Sequence, residues 1–364
     1  MKPFSAIYFV KENKKRCLLL ILMIFLSFGV YLGGLYVTNP LDNWKTAIGY
    51  YDEIVSVSGS SLEDEDYQWF LQELSADGKV TILEMGTYNG FTWQSIMGFT
   101  SGICSFTFRS VEDFKTYCEH FGIECDFESL KENSMIMSEK FARNKGFSIG
   151  DKVDKNGYSM IYSEFTLDAV TKEDGYTLYF ITNEEDMIPS ATLLGKEIKG
   201  KELYDYVYGI QNQLEEKQNV YVYSGLGANI ESQFEIFNVI YIFIAILISV
   251  ILAITIHAAF LGMYQRREFE FSVYRAIGIS KKRIIGKIVK ELLLMDVMAL
   301  MVGAGITLLG IYLFNHLVLY PDGKYLCYFN PLALGALLLC NAISILPLMI
   351  TRCRQMLKAD ICEY

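Results

Sequence analysis

Ionisable side chains set in apolar surroundings are the residues of this 364-residue chain best placed to do chemistry. His257 lies in an uncharged run from Ile236 to Gln265, and Asp296 immediately precedes another, Val297 to Pro321. Each sits roughly two turns from the same end of its expected helix, so the two can meet at one depth. An ionisable group in such a setting is costly and usually partnered. A His257–Asp296 pair would be a proton site or a structural hydrogen bond between packed helices. The other histidines, His120 and His316, lie far away in the chain, so the three form no metal cluster. "LLGKEIKGKE" has a Gly-Lys pair without the glycine spacing or hydroxyl residue of a phosphate-cradling loop, and it reads as a loop. No Ser/His/Asp or Cys/His arrangement stands out, so catalysis by this chain itself is not expected, nor is a bound cofactor or metal.

The elements that must position these groups are apolar. Four stretches carry no Asp, Glu, Lys or Arg: Cys17 to Leu41, Ile236 to Gln265, Val297 to Pro321 and Tyr325 to Thr351. A helix needs about 20 apolar residues to cross the hydrocarbon core, so each stretch can cross once. The first reads as an anchor in preference to a cleaved signal, since no small-residue cleavage site follows it. The fold class is an α-helical membrane protein with four transmembrane helices. A large mixed α/β extracytoplasmic domain is inserted between the first two.

Charge sets the orientation. Between Pro40 and Gln233 there are 33 acidic and 15 basic residues. Outside that block the basic residues cluster before Cys17, between Arg266 and Lys290, and after Thr351. The positive-inside bias then puts both termini and the 266–291 segment in the cytoplasm of a cell-membrane protein. The expected organisation is an amphipathic N-terminal helix (1–16), spans at 17–39, 234–264, 291–317 and 331–351, and an exterior domain (40–233). A cytoplasmic hairpin (265–290), an exterior loop (318–330) and a cytoplasmic tail (352–364) complete it. Gly29 and Gly33, four apart in the first span, form a candidate face for close helix packing.

The exterior block alternates between the two periodicities. "DEDYQWFLQELSAD", "SVEDFKTYCEHFG" and "ELYDYVYGIQNQLEEK" have helical spacing, with Ser110 placed to cap the second. Strands are expected in "KVTILEMGTYNGFTWQSIMGFTSGICSFTFRS", "SMIMS" and "NVYVYSGLG". Trp69, Tyr88, Phe91 and Trp93 are either core or the lining of a peptide or lipid site. A Cys118–Cys125 bridge is conceivable on the oxidising side, as is a free thiol at each. The carboxylates at 63–66 and 184–186 read as solvated turns.

From Ile230 to Ile277 there is no proline and only one glycine, Gly262. A helix running unbroken over that range would be about 60–70 Å long. It should end at Gly278, which readily takes a left-handed cap, and Ser280 suits the N-cap of the next helix. Around this turn Phe271, Tyr274, Ile277 and Ile279 have no span to bury them, and they are mixed with Arg266, Arg267, Glu268, Glu270 and Arg275. An apolar knob ringed by charge suits a docking surface.

"RREFEFSVYRAIGISKKRIIGKIVKE" resembles the cytoplasmic signature of FtsX/MacB-like permeases, the membrane subunits of one class of ABC transporter. Arg267, Glu268, Arg275, Ala276, Ile277, Gly278, Ser280 and Glu291 stand at the matching places, while Ser272 and Ile279 replace the family's usual Gly and Ala. "SEKFARNKGFSIGDKV" is similar to an exterior-domain segment of that family. The resemblance implies a permease subunit, with Arg267, Glu268, Phe271, Tyr274, Arg275, Ala276, Ile277, Gly278, Ile279 and Ser280 docking two copies of an ATP-binding subunit. That partner would hold the ATP and Mg. A second permease copy or a paralogue would complete the dimer, with an extracytoplasmic accessory protein and membrane lipid as further partners and no nucleic acid. Mechanical relay would then drive a peptide, antimicrobial or lipid-linked substrate outward. The alternatives are an FtsX-type regulator that activates an exterior cell-wall hydrolase without transport, and a receptor whose basic loop binds anionic lipid.

Overall fold

The computed structural model describes residues 27–47, 53–59, 65–88, 90–98, 100–103, 105–153, 163–184, 190–214, 220–224, 231–265 and 268–358. The expected N-terminal amphipathic helix and the first half of the first span lie outside these residues. The chain divides into two compact units. One comprises Asn39–Phe234 with Asn315–Tyr325, and the other Met1–Thr38, Glu235–Phe314 and Leu326–Tyr364.

Helix α1 (Phe28–Ala47) carries the chain from one unit into the other and runs past the expected boundary at Asn39. The α/β unit follows as β1 (Ile54–Gly59), α2 (Glu65–Ala76), β2 (Val80–Tyr88), β3 (Thr92–Gln94), β4 (Thr100–Gly102), β5 (Ser105–Phe108) and α3 (Val111–Phe121). After these come β6 (Ser134–Ser138), α4 (Glu139–Lys145), β7 (Lys152–Val153), β8 (Phe165–Thr171), β9 (Leu178–Ile181), β10 (Ala191–Gly195), α5 (Gly200–Gln211) and β11 (Val220–Ser224). Nine strands form one mixed sheet in the order β11-β1-β10-β2-β5-β9-β6-β8-β7, and β3 pairs with β4 separately. The β5–β9 and β6–β8 pairs are parallel.

Local chemistry sets the helix ends as expected. The Ser110 hydroxyl accepts from the Asp113 N–H at 3.1 Å, and Gly122 closes α3 with φ +67°. Ser138 does the same for α4 by accepting from the Phe141 N–H, and Gly146 closes it with φ +73°. The amphipathic faces then pack on the sheet. Phe106, Phe108, Phe114, Tyr117 and Tyr179 are fully buried, with neighbouring ring centroids 5.1–6.2 Å apart. Each favourable ring pair adds about 0.5–1.5 kcal/mol beyond its buried area. Phe91 and Trp93 are also core, and Trp93 stacks on Tyr176 at 4.8 Å. Cys118 and Cys125 are free thiols, not a bridge. Burial pushes both upward, Cys125 to about 11, so neither is a reactive thiolate at neutral pH.

The segment Asn315–Tyr325, expected to be the end of the third span (to 317) and the start of the exterior loop (318–330), is built into this unit. It starts as one π-helical turn (Asn315–Leu319), and Gly323 then takes φ +60°. A Cβ on Gly323 would overlap the Lys140 carbonyl and the Asn144 amide nitrogen. The Tyr176 hydroxyl donates to the Gly323 carbonyl at 2.9 Å, and the Asn144 amide bridges Gln94 and the Asp322 carbonyl. Lys140 lies 4.7 Å from the Tyr176 ring centre and 5.5 Å from that of Tyr325. The Asn39 amide donates to the Tyr325 carbonyl at 2.6 Å.

Next to this clasp, in the β8–β9 turn, the Glu173 carboxylate accepts from Thr171 at 2.7 Å and from Tyr179 at 2.9 Å. Burial raises its pKa, against the pull of the hydroxyls of Thr177, Thr171 and Tyr179. A raised folded pKa makes this group's stabilising contribution largest below the ordinary carboxylate range and lost as pH rises through the folded value. Denaturation at about pH 5 and about pH 7 should therefore show a steeper acid-side gain for the native protein than for Glu173→Gln.

The second unit is helical. It holds α6 (Glu231–Gln265), α7 (Glu268–Ala276), α8 (Lys281–Phe314) and α9 (Pro331–Lys358). Among the described residues, three helices are long and apolar enough to cross a membrane, over Asn238–Ala258, Lys281–Leu319 and Pro331–Thr351. The unbroken helix expected to Ile277 is helical over 231–265 and 268–276, with 266–267 outside the described residues. Close packing falls on Gly34, where a Cβ would meet the Tyr241 hydroxyl and Ala333, and on Gly303, which faces Phe28. Gly29 and Gly33 have open space around them, so they are not the tight contacts within this unit. The Tyr241 hydroxyl donates to the Val30 carbonyl at 2.9 Å.

Candidate functional site: a capped basic hairpin

The turn between α7 and α8 is closed by backbone chemistry. Gly278 has φ +85°, and its N–H donates to the Arg275 carbonyl at 3.0 Å. The Ile279 N–H reaches back to the Tyr274 carbonyl at 3.0 Å. This pair of bonds is the Schellman arrangement, which requires a residue free to be left-handed. Space around Gly278 is open, so the conformation, not crowding, calls for glycine. Ser280 comes immediately before α8, and its carbonyl accepts from the Arg283 and Ile284 N–H groups.

Helix α7 sorts its apolar residues onto two faces. Phe269, Val273 and Ile277 are spaced by four and are 80%, 41% and 69% exposed. Phe271 lies about 200° around the helix from Phe269 and is only 2% exposed. Its expected place on the docking surface is therefore corrected: it is a core residue of the hairpin, as are Ile284 and Ile288 on α8. Burying a phenylalanine is worth about 2–3 kcal/mol, which fastens the short helix to its neighbour. Tyr274, Arg275 and Ile279 are half-buried, while Ala276, Gly278 and Ser280 are exposed. Arg267 and the Glu268 side chain lie outside the described residues.

Beneath the exposed stripe lies a polar cluster that the sequence did not single out. The Lys287 ammonium is 3.2 Å from a Glu270 carboxylate oxygen and 3.3 Å from the Tyr274 hydroxyl. It also sits 4.7 Å from the Tyr274 ring centre, and that hydroxyl donates to Glu270 at 3.0 Å. The Lys287 side chain is 4% exposed and that of Glu270 37%.

Residues 238–355 match the family model described as FtsX-like permease C-terminal. This part of the chain is similar to the C-terminal domain of FtsX-like permeases. The match takes in α7, the turn and α8, and most of the other two apolar helices. No curated protein matches the chain. Similar solved structures include the periplasmic region of MacB from Actinobacillus actinomycetemcomitans, at 12% identity and TM-score 0.28, covering 54% of this chain and 97% of that one. Another is the extracellular domain of the noncanonic ABC-type transporter YknZ from Gram-positive bacteria, at 12% identity and TM-score 0.27, covering 47% and 100%.

Within the matched residues, Asp296 has a different partner from the one its position suggested. Asn341 of α9 donates to its carboxylate at 3.3 Å, and His257 on α6 is half-buried without bonding to it. A neutral amide from the neighbouring helix therefore meets the carboxylate. Among the described residues, no group of three His, Cys, Asp or Glu residues is arranged to hold a metal ion.

The α/β unit also has a cleft of about 400 Å³ beside the clasp, lined by Lys140, Arg143, Lys172, Glu173, Tyr320 and Tyr325 among others. Three of its cations are paired, Lys140 with Asp174, Arg143 with Glu139 and Lys172 with Glu124, and Lys324 donates to the Gln94 side-chain oxygen at 3.3 Å. The hairpin, with its exposed Phe269–Val273–Ile277 stripe, is the stronger candidate for docking.

Proposed function

We propose that the chain is the permease subunit of an ABC transporter whose hairpin docks a separate ATP-binding subunit. Two copies of that subunit would hold ATP and Mg, and a second permease copy or paralogue would complete the assembly. The observation that carries this reading is the solvent-facing Phe269–Val273–Ile277 stripe on a short helix stopped by a left-handed glycine, within the residues that match the FtsX-like permease model. Exposed apolar residues at the centre of a polar rim are how protein interfaces are built.

Cytoplasmic placement of the hairpin rests on its basic residues. Placing the α/β unit outside is supported by its acidity and by its inclusion of Asn315–Tyr325, the link between two candidate spans. Helix α6, at 35 residues, is about 50 Å long and joins the α/β unit to the hairpin segment in the chain. Closure of the nucleotide-bound subunits would push the hairpin, and the helices would carry that stroke to the α/β unit. A peptide, antimicrobial or lipid-linked substrate would then be expelled outside the membrane.

The test is co-purification with the ATP-binding subunit encoded nearest to this chain. Gly278→Pro fixes φ near −65° where +85° is needed and removes the N–H that donates to Arg275. The native chain should retain the subunit and the variant should lose it.

A further inference from the structure

We propose that Lys287 is the positioning residue of the hairpin. Its ammonium sets the register of α7 against α8, and so decides which face of α7 meets the partner. The inference rests on the docking reading above.

Glu270 and Tyr274 are four apart on α7 and present one face, while Lys287 stands early on α8. The ammonium, the carboxylate and the hydroxyl close a triangle with sides of 3.2, 3.3 and 3.0 Å, and the tyrosine ring adds a cation–π contact. A nearly buried ammonium is costly unless its hydrogen bonds are met, and here a carboxylate and a hydroxyl that meet it come from one turn of α7. Sliding or rotating α7 by one residue would break both of these contacts. Apolar contacts around Phe271 lack this directionality and tolerate several registers. A buried polar pair is a poor source of stability but a good selector of register. Glu270 keeps enough exposure to rehydrate if Lys287 is lost, so removal should cost register more than folding.

The experiment uses the full chain in lipid nanodiscs and measures binding of the ATP-binding subunit encoded nearest to it, with melting temperature recorded on the same samples. Lys287→Met keeps the aliphatic stem and removes the charge. It should weaken binding about tenfold while melting changes little. Lys287→Arg should stay within about threefold of native. The exchange variant Glu270→Lys with Lys287→Glu should recover most of the loss shown by either single change. Ile277→Asp serves as the docking control. If Ile277→Asp abolishes binding but Lys287→Met binds like native, Lys287 does not position the helix and the proposal falls alone. If melting drops together with binding and neither Arg nor the exchange rescues it, the residue is merely structural and the proposal is overturned. If Ile277→Asp itself binds like native, the docking reading fails and takes this inference with it.

Discussion

Replacing Gly323 by valine is expected to cost the α/β unit about 3–5 kcal/mol. Two penalties combine at this position. The backbone is left-handed at φ +60°, which a β-branched residue adopts only at a cost of about 1–3 kcal/mol. The new Cβ would also meet the carbonyl of Lys140 and the amide of Asn144, which are backbone atoms of α4 and cannot swing aside. Overpacking against a well-packed site adds about 1–3 kcal/mol. Displacing the segment would break the Tyr176 and Asn144 hydrogen bonds as well. Limited proteolysis and chemical denaturation of the purified protein would read the effect. The protein should become protease-sensitive around α4 and unfold at clearly lower denaturant. Tyr176→Phe should show a milder form, about 1 kcal/mol, since it deletes one hydrogen bond and leaves the ring stacked on Trp93.

Ile277→Asp is expected to have the largest effect on assembly. Ile277 is 69% exposed, so the folded chain loses little by the change. In an assembled complex the same position would place an unpaired carboxylate in a desolvated apolar patch, where central residues carry about 2 kcal/mol or more each. A loss of association of about 30-fold or more follows. Phe269→Asp should behave alike, whereas Phe271→Asp should damage the hairpin itself, because Phe271 is buried. Binding assays with the ATP-binding subunit, alongside melting curves, separate the two outcomes. A receptor that binds anionic lipid through charge alone would tolerate Ile277→Asp far better than the loss of Arg275 or Lys281.

What was legible in the sequence was local. Gly278 and Ser280 announce a helix stop and start because cap chemistry depends on neighbours within a turn, and Ser110 is readable for the same reason. The apolar runs are readable because a bilayer sets their length. The strands around Val80–Phe108 and Ser134–Ser138 follow from β-branched and aromatic composition between turn glycines.

Properties that depend on which face an element turns were less legible. Phe269 and Phe271 look alike in a basic segment, and only the packing of α7 on α8 separates an exposed ring from a buried one. Helical spacing offered a signal: Phe269, Val273 and Ile277 recur every four residues, and Phe271 falls on the other side. Lys287 is one of eight basic residues between Arg266 and Lys290, and its burial cannot be seen in that count. The Asn341 partner of Asp296 is not legible from charge patterning, because an amide is neutral. The clasp at Gly323 was out of reach, since its contacts bring together Gln94, Asn144, Tyr176 and Gly323 from distant parts of the chain.

The most direct measurement places a photo-crosslinking amino acid at Ile277 in living cells and identifies what it captures. The account predicts one dominant adduct, to an ATP-binding subunit, that disappears when Gly278→Pro is added. Capture of lipid alone, or labelling of this position by a membrane-impermeant reagent from outside the cell, would contradict it.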